Sequence, residues 1–442
     1  MRTLTKDTPQ KIGESVTLMG WIHSRRDHGR VIFIDLRDRL GMVQVVFLPL
    51  NAGVFGEAEK LRQEWVVRVE GKVKERPEGM RNPELETGGI EIEATGLEIL
   101  SRAEEPPMPV AEKAAEETDL QKRLDWRWLD LRKPEKLLIF QVWTAMEDAF
   151  REYWIKNGYL EIHSPKLMGA PSESGAEVFE VKYFDEKAYL AQSPQFYKQM
   201  AMAAGFERVF EVGPVFRAEP SFTAQHATEF TGYDAEISFI NSHDDVMAEL
   251  EGVFGFVLKK LKDDFGTAIK KYYDRDAGVP LIPFPRRTMK EAKDILAKLQ
   301  VPRDNENDLS PEEERRLSEF IKEKEDHEFV FVTDYPATVR PFYHMRSESD
   351  PSLTKSFDLL WNGIEIATGA QREHRYETLV AQAREKGLRL EPIQFYLDFF
   401  KYGCPPHGGF GLGPSRMLMK LLNVSNLREV MYLYRGVKRL TP

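Results

Sequence analysis

The stretch from Val209 to Ile240 constrains the fold most, because two runs of alternating apolar and polar residues flank the polar loop Pro220–Glu229. Alternate side chains of a β-strand lie on opposite faces, so each run predicts a half-buried strand. The predicted apolar faces comprise Phe210, Val212, Pro214, Phe216 and Ala218, then Thr231, Tyr233, Ala235, Ile237 and Phe239. The opposite faces comprise Glu211, Arg217, Glu219, Phe230, Asp234, Glu236 and Ser238. This polar face predicts either a floor for a flat, charged ligand or an ordinary solvated hairpin, and the stretch alone leaves both open.

The composition is that of a globular protein with more than one domain. The chain has 442 residues, 42% of them apolar, and contains no apolar run of the roughly 18 residues that a membrane span needs. The segment Met1–Gln10 is too polar for a secretory signal, so we expect a cytoplasmic protein. The single cysteine, Cys404, excludes an internal disulfide and a multi-cysteine zinc site. A net charge of −10 argues against non-specific coating of nucleic acid but allows a local basic face.

Residues 1–101 predict a small closed β-barrel of the oligonucleotide-binding type. Five short runs of strand-forming residues follow one another from Ser15 to Leu100. Phe33 offers a ring for base stacking, and Gln44 offers an amide for a base edge. Basic residues nearby suit phosphates, namely Arg25, Arg26, Arg30, Arg37 and Arg39. The sequence alone leaves open the alternative in which Phe33 belongs to the core and the arginines are merely solvated.

A Pro-, Ala- and Glu-rich segment at 102–118 predicts a linker to a second domain at 119–442. The second domain begins with a predicted helix that ends near Gly158, followed by the short strand Tyr159–Ile162 and by Pro165. The apolar residues of this helix recur at intervals of three and four, at Leu138, Ile139, Val142, Trp143, Met146, Phe150 and Trp154. The stripe indicates either a core face or an interface.

Three further stretches have local signals of structure. The loop Gly169–Glu177 is small and polar, so we expect a hinge or lid. Ser193-Pro194 predicts the start of a helix that places Gln195 and Lys198 on one face. The highly charged span Arg286–Asp326, which contains a capping signal at Ser310, predicts a solvated helical insertion without a catalytic role.

The dipeptide Asn362-Gly363 lies between two apolar runs and predicts a two-residue hairpin turn. The register expected from this turn has the pairs Leu360–Glu365 and Asp358–Ala367. Asp358 and Glu365 would then emerge on one face, where two carboxylates are costly unless they meet a cation. A magnesium ion brought by phosphates suits them, and buried ion pairs with Arg372 are the alternative.

The segment Gly408–Arg416, with the sequence GGFGLGPSR, predicts a glycine-rich turn that opens a helix at Pro414–Leu422. It matches neither the Walker nor the Rossmann pattern. Glycine still lets a ligand approach the backbone closely. Arg416 lies in the first turn of the helix, where its charge and the helix dipole both favour an anion.

Together these stretches resemble the class II aminoacyl-tRNA synthetases. The hairpin at 209–240 is similar to motif 2, in which FRxE precedes a loop and a phenylalanine, and GLGPSR is similar to motif 3. The helix, short strand and Pro165 resemble motif 1, the dimerisation element of the family, and an N-terminal barrel is typical of subclass IIb. The string AQSPQFYKQ resembles the aspartyl enzymes, and the absence of a large inserted domain after motif 2 resembles their shorter form, found in archaea and eukaryotes. The resemblance implies an α+β catalytic domain with a mainly antiparallel sheet flanked by helices.

The resemblance also implies an activity and a set of site residues. The activity is activation of L-aspartate with ATP and Mg²⁺ and its transfer to tRNA-Asp, by a homodimer formed through motif 1; whether tRNA-Asn is also charged stays open. The implied ATP-binding residues are Arg217, Glu219, His226, Phe230, Glu365, Gly413 and Arg416, of which Arg217 and Arg416 are catalytic. The implied aspartate-binding residues are Ser172, Glu173, Gln195, Lys198, Arg217, Asp234, Thr368 and Arg372. The implied magnesium ligands are Asp358, Glu365 and Thr368, and the implied anticodon-binding residues are Arg26, Phe33 and Gln44. Strand alternation does not place Thr368 beside Glu365, so that ligand rests on the resemblance only.

Two alternatives and two departures accompany this prediction. An asparaginyl-tRNA synthetase shares every motif but is expected to lack a lysine at the position of Lys198. A non-catalytic relative that binds RNA is expected to lose the arginines for ATP or the carboxylates for the metal, and all are present here. Gln225 stands where the family usually has arginine, and Leu433-Tyr434-Arg435 replaces the usual Phe-Pro-Arg.

Overall fold

The computed structural model describes residues 1–111, 118–172, 177–220 and 223–442. The chain forms two compact units, Met1–Leu138 with Pro442 and Ile139–Thr441. The domain boundaries at 101 and 118 stay predictions. In the described ranges, no helix has the length and apolar character needed to cross a membrane.

The first unit contains a closed five-stranded barrel with the strand order β1-β2-β3-β5-β4, which confirms the predicted barrel. Its strands are β1 (Ser15–Asp27), β2 (Ile32–Asp38), β3 (Gly41–Phe47), β4 (Val66–Glu75) and β5 (Ile90–Ser101). Its short helices are α1 (Ala52–Ala58), α2 (Leu120–Asp125) and α3 (Arg127–Asp130), with 3₁₀ turns at Thr5–Lys11 and Glu78–Met80. Helix α4 (Pro134–Lys156) begins in this unit.

Alternation along β2 separates the barrel core from its outer face. Ile32, Ile34 and Leu36 are fully buried, whereas Phe33 is only half-buried on the opposite side. Phe33 therefore does not belong to the core. Arg37, one of the basic residues predicted to suit phosphates, with a merely solvated side chain as the alternative, is instead buried and donates to Glu64 at 2.8 Å.

The second unit is organised around an eight-stranded sheet in the order β12-β13-β14-β15-β16-β11-β10-β6. Among the described strands of this sheet, only the β6–β10 and β12–β13 pairs are parallel, so the sheet is mainly antiparallel, as predicted. Its strands are β6 (Leu160–Glu161), β10 (Arg208–Phe216), β11 (Glu229–Ser238), β12 (Arg286–Thr288), β13 (Phe329–Thr333), β14 (Ser356–Trp361), β15 (Ile364–Gln371) and β16 (His407–Leu412). A small second sheet contains β7 (Leu167–Met168), β8 (Glu180–Tyr183) and β9 (Glu186–Leu190).

Helices surround this sheet. They are α5 (Gln195–Ala203), α6 (His243–Tyr273), α7 (Met289–Lys298), α8 (Pro311–Glu325), α9 (Tyr376–Glu385), α10 (Gln394–Asp398), α11 (Pro414–Leu421) and α12 (Leu427–Val430). Single 3₁₀ turns lie at Glu391–Ile393 and Phe399–Tyr402. Helix α5 begins one residue later than its capping signal suggests, and α6 has a capping box at Ser242.

The apolar stripe of α4 is a core face. Phe150 packs edge-on against Tyr233 of β11 at 5.1 Å between ring centroids, and Trp154 stacks on Phe210 of β10 at 4.8 Å. Phe254 of α6 joins the same cluster through Phe150 at 6.3 Å. The even-numbered apolar face of β10 and the odd-numbered face of β11 thus contact the helices.

The opposite face of the β10–β11 hairpin is not solvated. Glu211, Asp234 and Glu236 are all buried, with Glu236 at 0% exposure, whereas Pro214 on the predicted apolar face is exposed. Helix α5 contacts both strands and covers their polar face. The hypothesis of an ordinary solvated hairpin is therefore wrong.

The span Arg286–Asp326 is not a solvated helical insertion. It contributes the edge strand β12 to the main sheet and buries Met289, Leu296, Leu317 and Ile321 in a cluster with residues of β13 and β14. The high density of charge in this span concealed two amphipathic faces, one on α7 and one on α8. The capping box predicted at Ser310 is present.

The segment Gly408–Leu412 is a central strand, β16, and not a turn. A side chain on Gly409 would overlap the carbonyl oxygen of Ala235 and the carboxylate of Glu236. The glycines therefore make room for carboxylates that lie over the sheet, which alternation of residue types could not reveal.

Replacing Gly409 by alanine is expected to destabilise the protein by about 1–3 kcal/mol or more, because the added methyl group overpacks a closed site. Gly266→Ala is the matched control, since a side chain there meets only Lys262 at an ordinary 3.7 Å inside α6. The control is expected to stabilise by about 0.5–1 kcal/mol. Chemical denaturation measures both, and equal stability of the two variants would contradict this account of β16.

Candidate active site

The buried polar face of the β10–β11 hairpin forms the floor of a cavity of about 410 Å³. The antiparallel register sets Val215 opposite Phe230 and Glu211 opposite Asp234, so these side chains share one face. The predicted site residues that line the cavity are Gln195, Lys198, Arg217, Glu219, His226, Phe230, Asp234, Glu365, Thr368, Arg372, Gly413 and Arg416. Residues from β10, β11, β15 and three helix or loop segments thus meet in one place.

One end of the cavity is a buried cluster of charges centred on Lys198 of α5. Its ammonium group donates to Asp234 Oδ1 at 2.9 Å and to the carbonyl oxygen of Phe410 at 3.1 Å, and lies 3.2 Å from Glu236 Oε2. The side chain is 2% exposed. The lysine predicted from the sequence as an anion receptor therefore faces the floor of the cavity.

Arg372 contacts the same cluster from the end of β15. Its Nε donates to Glu236 Oε1 at 2.9 Å, and its Nη2 donates to the carbonyl oxygen of Gly409 at 3.0 Å. Its Nη1 lies 3.0 Å from His344 Nε2. Burial, with the charge of Arg372 added, lowers the pKa of His344 well below its ordinary value, so this ring is neutral and accepts the bond. Lys198 and Arg372 thus flank one carboxylate.

That carboxylate, Glu236, was not predicted as a site residue. Alternation in the sequence placed Glu236 on the same strand face as Asp234, but no residue pattern revealed that Lys198 and Arg372 converge on it. His344 lies in a stretch without regular periodicity, so the sequence contained no signal for it. Burial alone would raise the pKa of Glu236, but the charges of Arg372 and Lys198 outweigh burial and hold it below the ordinary value.

Three of the predicted aspartate-binding residues, Ser172, Glu173 and Gln195, differ in their placement. Ser172 is buried but does not line the cavity; its hydroxyl lies 3.4 Å from that of Ser193, which does. Glu173 lies outside the described residues. Gln195, at the start of α5, lines the cavity, and its amide nitrogen donates to Gln199 Oε1 at 2.9 Å.

The other end of the cavity is cationic and aromatic. The guanidinium of Arg217 lies 5.6 Å from the ring centroid of Phe230 and 3.9 Å from Glu219 Oε1. Burial, with the charge of Arg416 added, lowers the pKa of the nearby His226. Arg416 Nη1 donates to the carbonyl oxygen of Glu365 at 2.8 Å, which holds the arginine at the start of α11. This end of the cavity therefore suits a ligand that contains both a flat ring and an anionic group. Gln225 also lines it.

A β-bulge changes the register expected for the β14–β15 hairpin. Leu360 pairs with Glu365 as predicted, but the register shifts at the next position, so that Asp358 pairs with Thr368 and not with Ala367. The extra residue of β15 reverses the parity beyond it. Thr368 consequently donates its hydroxyl to Glu365 Oε1 at 3.1 Å, an arrangement that simple alternation excluded.

Asp358 lies beneath the cavity and does not line it. It is buried and accepts from Arg340 at 2.6 Å, while its Oδ1 has no hydrogen-bond partner in the part of the chain that the structure describes. Burial, with the charge of Glu365 added, raises the pKa of Asp358. Burial raises the pKa of Glu314 of α8 to about 8, and the charges of Glu365 and Asp358 contribute.

The charge of Glu365 thus contributes to the raised pKa of both Asp358 and Glu314, and a group of carboxylates that lie this close together favours a cation. The described residues contain no cluster of three or more side chains arranged to hold a metal by themselves. The donor set Asp358, Glu365 and Thr368 consists of hard oxygen atoms and fits a magnesium ion that takes its remaining ligands from phosphates and water.

A second cavity, of about 420 Å³, lies on the barrel of the first unit. It brings together Arg26, Phe33 and Gln44, the three residues predicted there. Arg26 donates to Gln44 Oε1 at 3.1 Å, and Gln44 Nε2 donates to Glu91 Oε2 at 2.9 Å. A half-buried ring beside a cation and an amide suits an unstacked base.

Models of two known families match the chain. Residues 119–435 match "tRNA synthetases class II (D, K and N)", and residues 16–100 match the OB-fold nucleic acid binding domain of the anticodon-binding type. The protein therefore belongs to the class II tRNA synthetases and contains an OB-fold domain.

Relatives of known name extend over the whole chain. An aspartate–tRNA(Asp/Asn) ligase of Aeropyrum pernix is 43% identical over 98% of this chain and 96% of its own length. An aspartate–tRNA(Asp) ligase of Pyrococcus abyssi is 40% identical over 98% of each chain. The crystal structure of an asparaginyl-tRNA synthetase of Pyrococcus horikoshii with asparaginyl-adenylate is 32% identical, has a TM-score of 0.91 and covers 100% of both chains.

Replacing Glu236 by glutamine tests the charge cluster. The pKa of Glu236 is depressed in the folded state, so its stabilising contribution is present above the unfolded value and is lost as the pH falls through the folded value. At pH 7 the variant is expected to lose about 3–5 kcal/mol in the free energy of unfolding, because Lys198 and Arg372 lose a buried partner.

The difference between wild type and Glu236→Gln is expected to shrink below about pH 4. Glu229→Gln, exposed on the same strand, is the control and should change stability by no more than about 0.5 kcal/mol. Denaturant titrations at several pH values measure these quantities. Equal losses in both variants at pH 7 would argue against the cluster.

Proposed function

We propose that this class II synthetase is an aspartate–tRNA ligase. It activates L-aspartate with ATP to aspartyl-adenylate with release of pyrophosphate, and then transfers the aspartyl group to the 3′ end of tRNA-Asp with release of AMP. The observation that carries the proposal is the pair Lys198 and Arg372, which converge in the cavity on the single carboxylate of Glu236. The names of the full-length relatives support the same reaction.

The choice between aspartate and asparagine follows from the sum of formal charges. Lys198 and Arg372 carry two positive charges, and Asp234 and Glu236 carry two negative charges, so the cluster is balanced. The ammonium and side-chain carboxylate of aspartate keep the sum at zero, because its α-carboxylate is assigned to Arg217, outside this cluster. Asparagine would contribute only its ammonium and leave one uncompensated charge in a buried site, which is costly. The cluster therefore favours the acid over the amide.

In the first step, the α-carboxylate of aspartate attacks the α-phosphorus of ATP, and pyrophosphate leaves. This carboxylate, with a pKa of about 3.5, is ionised at neutral pH, so no general base is needed. We assign Lys198 and Arg372 to the side-chain carboxylate, and Gln195, Asp234 and the loop residues Ser172 and Glu173 to the ammonium end. We assign Arg217, at the cationic end of the cavity, to both reacting groups, where it stabilises charge on the pentavalent phosphorus.

ATP binds in the cationic end. We assign the ring of Phe230 to stacking on adenine and Glu219 to its amino group. His226 and Arg416 contact the outer phosphates, and Gly413 lets the nucleotide approach the start of α11. Asp358, Glu365 and Thr368 would hold magnesium, which supplies positive charge to the phosphates when bound. Asp358 would contribute its Oδ1, which has no hydrogen-bond partner among the described residues.

For the second step, the barrel reads the tRNA. We assign Arg26, Phe33 and Gln44 to the anticodon, because a ring, a cation and an amide converge in the barrel cavity. We further propose that the protein is cytoplasmic and forms a homodimer through the motif 1 segment, and that the domains divide at residues 101 and 118.

An asparaginyl-tRNA synthetase is the second candidate, because one of the similar structures has that function and an overall fold of the same shape. The charge balance of the cluster argues against it. A non-catalytic RNA-binding relative is the third, and the presence of Arg217, Arg416 and the carboxylate pair argues against it. Some relatives are named for both tRNA-Asp and tRNA-Asn, so charging of tRNA-Asn also needs a direct test.

Pyrophosphate exchange with each amino acid tests the proposed substrate. Aspartate is expected to exceed asparagine in kcat/KM by about 10- to 150-fold for each charge-assisted hydrogen bond that the amide loses. Lys198→Ala should abolish exchange with aspartate while ATP binding persists. The control Lys259→Ala, exposed on α6, should leave exchange unchanged. Exchange with asparagine alone would rule out the aspartyl assignment, and charging of both tRNA transcripts decides the second substrate.

Replacing Phe33 by alanine tests the role of the barrel. The KM for tRNA-Asp is expected to rise about 5- to 150-fold through loss of one stacked base, while pyrophosphate exchange stays as in the wild type. Leu50→Ala, an exposed apolar residue of the same unit outside the cavity, is the control. Unchanged tRNA charging by Phe33→Ala would exclude this residue from the interface.

A further inference from the structure

A hydrogen-bonded network of buried polar side chains lies beneath the cavity and ends at a residue that lines it. Gln195 Nε2 is 2.9 Å from Gln199 Oε1, and the hydroxyl of Tyr396 is 3.0 Å from the same oxygen. Gln199 Nε2 is 2.9 Å from His407 Nε2, and His407 Nδ1 is 2.8 Å from the carbonyl oxygen of Pro405. Gln199, Tyr396 and His407 are fully buried, and Gln195 is 4% exposed.

The direction of every hydrogen bond in this network follows from its last acceptor, the carbonyl oxygen of Pro405. The carbonyl oxygen of Pro405 can only accept, so His407 Nδ1 must carry the proton. Burial lowers the pKa of His407 to about 4, so the ring is neutral at pH 7 and its Nε2 is an acceptor. The group facing Nε2 must then be the amide nitrogen of Gln199, which turns its oxygen toward Tyr396 and Gln195. A backbone carbonyl thus sets the direction of the hydrogen bonds made by four side chains, those of His407, Gln199, Tyr396 and Gln195.

Gln195 is held in one orientation as a result. Its amide nitrogen donates to Gln199 Oε1, and the reversed orientation would set two oxygen atoms against each other. Its own carboxamide oxygen takes no hydrogen bond from any residue in the described ranges, and Gln195 lines the cavity. Gln195 therefore presents its carboxamide oxygen, an acceptor and not a donor, to a ligand in the cavity.

We propose that Gln199, oriented by His407 and Tyr396, is a positioning residue that fixes the carboxamide oxygen of Gln195 toward the α-ammonium group of the amino acid. An ammonium group has three donors and no acceptor, so only this orientation of Gln195 can bind it. The proposal rests on the proposed function, because it takes the amino acid to occupy this cavity. It assigns the recognition of the ammonium group to residues that need not touch it.

Gln199→Met tests the proposal, since it keeps the length of the side chain and removes both polar atoms. Released from its partner, Gln195 can turn its nitrogen toward the substrate, so the KM for aspartate in pyrophosphate exchange should rise about 10- to 100-fold. The KM for ATP should change less than about twofold, because the nucleotide end shares none of these bonds. Gln199→Glu keeps the acceptor for Gln195, while its second oxygen faces His407 Nε2 and needs one added proton on either atom. With that proton in place, the aspartate KM should stay within about threefold of the wild-type value.

Succinate, which is aspartate without its amino group, separates positioning from a general loss of structure. Its inhibition constant against aspartate should be the same in the wild type and in Gln199→Met, since it has no ammonium group to bind. If Gln199→Met does not fold, Tyr396→Phe removes the other donor to the same oxygen and should raise the aspartate KM about two- to fivefold, again without an effect on succinate.

Equal increases of the aspartate KM and the succinate inhibition constant would overturn the positioning role, as would no increase in either. A wild-type protein that does not exchange pyrophosphate with aspartate would instead overturn the proposed function. The two failures are therefore distinguishable.

Discussion

The ion cluster of Lys198, Glu236 and Arg372 is the interaction on which the rest of the site depends. Three charged groups with exposures of 3% or less come from α5, β11 and the end of β15, so the cluster joins a helix to two strands that are not sheet neighbours. Charges are costly to bury unless they are paired and fully hydrogen-bonded. Here each cation has a carboxylate partner and a backbone carbonyl partner, and the glycines of β16 leave space for the carboxylates.

This pairing also gives the cavity two chemically different ends. At one end, charge is already balanced, so the ligand groups that enter it must balance each other, as an ammonium group and a side-chain carboxylate do. At the other end, Arg217, His226 and Arg416 line the cavity together with the ring of Phe230, and the carboxylates of Glu219 and Glu365 lie 3.6–3.9 Å from them. A hydrophobic sheet face packed by α4 and α6 holds both ends rigidly, because Phe150, Trp154 and Phe254 fill the opposite side of the same strands.

Most of the fold and much of the site could be predicted from the sequence. Alternation and turn signals located the barrel strands, the central hairpin, the Asn362-Gly363 turn and the face that Gln195 and Lys198 share. The features that could not be predicted from the sequence were those set by tertiary contacts. The bulge in β15 depends on packing around one inserted residue, so alternation could not place Thr368 beside Glu365. The charges of α7 and α8 hid their buried faces, and no local pattern indicated that Glu236 and His344 meet Arg372.

The most direct test of the central claim is a crystal structure of the protein with a non-hydrolysable analogue of aspartyl-adenylate. The account predicts that the side-chain carboxylate of the analogue lies about 3 Å from both Lys198 Nζ and the guanidinium of Arg372, with Glu236 still paired to the two cations. An aspartyl side chain bound elsewhere in the cavity, with Lys198 and Arg372 contacting only Asp234 and Glu236, would contradict it.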